Sequence, residues 1–204
     1  RLASQQGIAQ ANLMLQHAGL QRTDAERAGL ASLTGHQTTR LDSIRLNNDE
    51  EPWVLGAAEI YAVTSGVVSS DNKATMQIVD MPYLDNDGTT YQPQQIILDW
   101  SNFAFQAANI NLFEKDDNTS YQDLVTALIS AVGAAGSLAG VPTIQAITDI
   151  ANRIVAALPS SWFANDDDYV DVFYTVQENV QYTGRAGASN NATVTLTPFF
   201  LSSN

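Results

Sequence analysis

The side chains of this sequence with chemistry to offer are carboxylates, and they come in runs: Asp49-Glu50-Glu51, Asp85-Asn86-Asp87-Gly88, Glu114-Lys115-Asp116-Asp117 and Asp166-Asp167-Asp168. Neighbouring carboxylates repel one another unless positive charge sits among them, and no lysine or arginine lies within about ten residues of Asp167. A hard cation with oxygen ligands is the simplest partner, and calcium, which takes roughly six to eight such ligands, fits best. The candidate ligands are Asp49, Glu50, Asp85, Asp87, Asp116, Asp117, Asp166, Asp167 and Asp168. Asp85-x-Asp87-Gly88 matches the front half of a calcium loop, in which oxygen donors alternate and glycine permits the sharp turn. An EF-hand also needs a glutamate about six residues after that glycine and flanking helices, whereas Gln94 to Leu98 reads as a strand. A plain Asp-Gly turn competes with the metal reading here, as solvated loops do for the other runs. Asp99, alone among Ile96-Ile97-Leu98 and Trp100, either joins the cation or faces water.

Other chemistries find little support. Cysteine is absent, which removes disulfide, zinc-thiolate and thiol-nucleophile readings together. His17 and His36 are the sole histidines, with no serine and acid in a recognisable arrangement and no zinc-like spacing, so a surface role is expected for both. A hydrolase using a carboxylate pair is an alternative, although no motif marks any acid for it. With 9 basic against 22 acidic residues, the net charge of -13 repels a phosphate backbone, and no nucleic-acid partner is expected. There is no uninterrupted apolar run of eighteen residues. The chain reads as soluble or as the mature part of something longer, and a start at Arg1 favours processing.

Positioning such acids requires loops on a scaffold. Leu2, Ile8, Leu13, Leu15 and Leu20 fall at helical spacings, and Thr23 with Glu26 makes a capping box for a second helix ending before Gly35. This predicts an N-terminal helical extension over 1–45, packed on the main domain or on another copy as a homo-oligomer. From Arg40 the period changes from helical to extended, and the β domain is placed at 46–204, with strands predicted at 57–68 (broken or bulged near Gly66), 74–79, 94–100, 108–113, 169–177 and 192–200. Two acidic runs bracket a nearly uncharged stretch that predicts a helical hairpin inserted at 120–160. Its first arm carries Leu124, Leu128 and Val132, and its second, from Pro142, carries Ile144, Ile147, Ile150 and Ile154. Membrane insertion of this hairpin is a further alternative. Each arm is shorter than a bilayer span, however, and Asp149 and Arg153 lie in the second. The fold class expected is mainly β with α: an antiparallel β-sandwich with a helical hairpin and a helical extension.

Several stretches carry a resemblance. Glu50-Glu51-Pro52-Trp53, Glu59-Ile60-Tyr61, the run from Met81 to Tyr91, Glu114 to Asn118, and Ser160 to Asp171 together resemble the domain-of-unknown-function family 3103, a bacterial secreted family, over residues 49 to 201. That resemblance implies a secreted or cell-surface location and supplies no activity. More loosely, acidic loops at sheet ends are similar to those of C2-type calcium sandwiches. A C2-like arrangement implies that the loops of Asp85 and Asp87, of Asp116 and Asp117, and of Asp166 to Asp168 meet at one end, with Asp49 and Glu50 beside them. The function expected is a secreted calcium-binding module with a structural, adhesion or self-assembly role.

Overall fold

The computed structural model describes residues 35–48, 60–67, 74–103, 105–114 and 169–202. They form strands β1 (Gly35–Leu46), β2 (Ile60–Val67), β3 (Ala74–Asp80), β4 (Thr90–Tyr91), β5 (Gln95–Asp99), β6 (Ala107–Glu114), β7 (Tyr169–Gln177), β8 (Tyr182–Ala186) and β9 (Ala192–Ser202). A single 3-10 turn, Trp100–Asn102, is the one helical element among the described residues. Every pairing is antiparallel. One sheet runs β4-β1-β9-β8, with β5 also on β1; the other runs β3-β2-β6-β7.

This corrects the expected mixture of β with α. Part of the supposed helical extension over 1–45 is instead β1, a twelve-residue strand paired along β9 on one edge and along β4 and β5 on the other. The physical reason is a bulge. The β1–β9 register shifts between Leu41 and Ser43, so Asp42 is an additional residue and the side-chain phase flips across it. Leu41 and Ile44 then both reach the core although they are three apart, a spacing that a strict period of two does not allow. Asp42 is held at the bulge by Arg40 Nε at 2.6 Å and by the Thr197 hydroxyl, which donates to its Oδ2 at 2.5 Å. Residues 1–34 and the hairpin expected at 120–160 lie outside the described residues.

Both sheets contribute to one core. Leu41, Ile44, Leu98 and Leu196 from the first sheet meet Ile60, Ala62, Ile110, Leu112 and Phe173 from the second, with Trp100 among them. The Trp100 indole N–H donates to Thr39 Oγ1 at 2.8 Å, so the buried ring leaves no polar atom stranded. β6 is buried on both faces, including Asn109 and Asn111. The break expected near Gly66 is absent: β2 keeps unbroken register with β3 through Gly66. A Cβ at Gly66 would strike the ring of Phe103, so this glycine makes room for an aromatic instead of marking a bulge.

Candidate acidic end

Hydrogen bonds and strand pairing gather the ends of β1, β2, β3, β4, β6, β7 and β9 at one end of the two sheets. Leu46 accepts from Gly88 N at 2.8 Å, and Arg45 Nε reaches Gly88 O at 2.8 Å. Beyond β1, Asn47 N donates to Asn191 O at 2.8 Å, while Asn48 and Asn191 clasp each other through Asn48 N to Asn191 Oδ1 and Asn191 Nδ2 to Asn48 O, each at 2.9 Å. In the second sheet Ile60 pairs with Glu114 and Phe113 with Tyr169, and Met81 N donates to Ile60 O at 2.8 Å. Tyr61 stacks on Phe113, whose ring meets Tyr169 edge-on, so three aromatics tie β2, β6 and β7 together there.

Asp171 joins the two sheets. Its carboxylate, fully buried, accepts backbone N–H bonds from Val172 at 2.8 Å and Ser189 at 2.9 Å on Oδ1, and from Asn191 at 2.9 Å and Ala192 at 2.7 Å on Oδ2. Both oxygens are therefore committed to ordering the Gly187–Asn191 turn. A Cβ on Gly187 would collide with this carboxylate, which explains the glycine. The charge of Asp171 also acts on its neighbours. Burial first, and then Asp171, pushes the Tyr169 hydroxyl up to about 12 and raises Tyr174 above its ordinary value.

Of the expected ligands, Asp85 and Asp87 fall on described residues, both exposed in the connection from β3 to β4. Asp85 Oδ1 accepts from the Tyr91 hydroxyl at 2.6 Å and from Asn86 Nδ2 at 2.8 Å. The Tyr91 bond, with help from Asn86, holds the Asp85 carboxyl below the usual aspartate range. Asp49, Glu50, Asp116, Asp117, Asp166, Asp167 and Asp168 lie outside the described residues. Among the described residues no three His, Asp or Glu side chains group closely enough to hold a metal. Asp99, expected either to join the cation or to face water, is partly exposed and has a local task. It caps the 3-10 turn, accepting from Ser101 N at 2.9 Å and Ser101 Oγ at 2.7 Å.

Sequence reasoning missed Asp171, although a lone acid inside Val170-Asp171-Val172-Phe173 is itself a signal, because a carboxylate on a buried strand must find donors.

Comparison with known proteins gives one result. The family described as "Protein of unknown function (DUF3103)" matches residues 1–204. The chain belongs to this family. The match takes in the whole sequence, where the motif resemblance had covered 49 to 201. No curated protein and no solved structure matches, so the likeness to C2-type sandwiches is left without support and is withdrawn.

Proposed function

We propose that this protein is a secreted calcium-binding β module with a structural, adhesion or self-assembly role, its ion held at the acidic end. One observation carries the reading: the strand ends that border the acidic runs in sequence share one end of the fold. Asp49 follows Asn48, Asp116 follows Glu114 by two residues, Asp168 directly precedes Tyr169, and Asp85 and Asp87 lie in the loop after β3. A two-residue extension reaches at most about 7 Å. Asp171 stands apart from the ligand set, because its oxygens are occupied by backbone donors. Modules of this kind bind calcium at about 10⁻⁴ to 10⁻³ M, concentrations met outside cells, which agrees with secretion.

Calorimetric titration of the whole chain with calcium tests this, with magnesium as the control. Calcium should bind with magnesium much weaker, because magnesium holds its waters and demands tighter octahedral geometry. Asp117→Asn and Asp167→Asn should each weaken binding, and the double variant should lose less than the sum, since the first change already spoils a shared site. Additive losses would mean separate loops, and absence of any binding heat at millimolar calcium would end the proposal.

A further inference from the structure

Beside the acidic end, a groove of about 710 Å³ opens between the end of β3 and the β4–β5 connection. Its walls include Asp80, Pro82, Tyr83, Tyr91, Gln92 and Gln95. The two tyrosine rings lie with centroids 6.1 Å apart at 47°. Their hydroxyls are already engaged, Tyr83 donating to Gln95 Oε1 and Tyr91 to Asp85 Oδ1. Gln95 Nε2 in turn donates to Asp80 O at 2.9 Å. The rings, partly buried against the core, are thus fixed by their polar ends, and what they leave to a ligand is the ring surface that remains exposed. Asp80 and Gln92 are exposed at the rim, the one an acceptor of two hydrogen bonds and the other both donor and acceptor.

We infer that this groove binds a neutral carbohydrate chain, a pyranose stacking its C–H face on Tyr91 and Tyr83 while its hydroxyls bond Asp80 and Gln92. Charge rejects an anionic ligand, since Asp80 lines the groove on a chain of net charge -13. A purely apolar ligand would make no use of the carboxylate and amide beside the rings. A proline-rich peptide also docks on aromatic grooves, but its carbonyls would find Gln92 as the one side-chain donor at this groove, since both tyrosine hydroxyls are committed to Gln95 and Asp85. A sugar ring needs what remains: apolar faces flanked by planar polar groups that match adjacent hydroxyls. The inference is independent of calcium binding.

The test is affinity electrophoresis of the whole chain in gels containing β-1,4-glucan, β-1,3-glucan or galactomannan, each with calcium and with chelator, and alginate as the anionic control. A proline-rich basic peptide is assayed separately by fluorescence anisotropy. At least one neutral polymer should retard the protein, alginate should not, and Tyr91→Ala should weaken retardation about tenfold. Gln92→Ala, at an exposed position, should also weaken it while leaving the melting temperature unchanged. Absence of retardation in all three neutral polymers, retardation that survives both substitutions, or binding of the peptide alone would overturn the inference. Retardation seen in calcium and lost in chelator would overturn the independence from calcium.

Discussion

Replacing Asp171 by Asn is the sharpest probe of how this end is built. The substitution keeps the shape of the side chain but turns one acceptor oxygen into an amide that points hydrogens at backbone N–H groups. If the remaining oxygen keeps Val172 and Ser189, the amide faces the N–H groups of Asn191 and Ala192, which now bond Oδ2 at 2.9 and 2.7 Å. Two hydrogen bonds to a charged acceptor are lost, each contributing at least about 1.5 kcal/mol, so the cost is about 3 kcal/mol. For a chain of 204 residues this lowers the melting temperature by roughly 6–12 °C. Urea unfolding followed by tryptophan fluorescence measures it, run in calcium and again in chelator. The loss should be equal in both, because the oxygens serve backbone donors and not an ion. A cost below about 0.5 kcal/mol, as at an ordinary surface position, or a loss confined to calcium, would refute the role assigned to Asp171. Gly187→Ala, which drives a methyl into the same carboxylate, should destabilise by about 1–3 kcal/mol.

Two further outcomes follow from β1. Burial raises the Asp42 carboxyl, but the hydrogen bonds of Arg40 and Thr197 and the Arg40 charge outweigh it, leaving the group below its ordinary 3.8. Because the folded value is depressed, Asp42 contributes stability above pH 3.8 that is lost as pH falls below it. Asp42→Asn should therefore cost up to about 1 kcal/mol at pH 7 and less near pH 2, read from urea melts at the two values; an equal cost at both would contradict the ion-pair account. Truncation supplies the other outcome. Removing 1–39 deletes Gly35 to Thr39 of β1, including buried Thr38 and Thr39 and the partner of the Trp100 indole. Circular dichroism should show loss of the cooperative β transition, and a shortened chain that still melts cooperatively would show that β1 is dispensable.

Much of the β pattern was legible because alternation survives where strands are regular. The expected 74–79, 169–177 and 192–200 lie within a residue or two of β3, β7 and β9. What escaped was broken by local backbone geometry. Asp42 flips the phase of β1, so Leu41 and Ile44 break the alternation that marks a strand. β8 carries Gly184 at φ +62 and a largely exposed pattern, and β4 is two residues long. β7 itself hides a bulge. Ala108 pairs with Val176 and Ile110 with Phe173, leaving Asn109 opposite two residues, and its Oδ1 accepts from Thr175 N at 3.1 Å with Thr175 at φ +53. The acids were legible as a group, but their division of labour was not. Asp99 caps a turn through a residue two away, whereas Asp171 works through donors 18 to 21 residues downstream, a separation that no local pattern encodes.

Thermal unfolding in calcium and in excess chelator tests calcium binding at the acidic end most directly. A ligand bound by the native state alone, at one hundred times its dissociation constant, adds about 2.7 kcal/mol, or roughly 5–11 °C for this length. The account predicts a rise of that order as calcium reaches saturation, reversal by chelator, and a smaller response to magnesium. A melting temperature that stays the same from chelator through several millimolar calcium would contradict it.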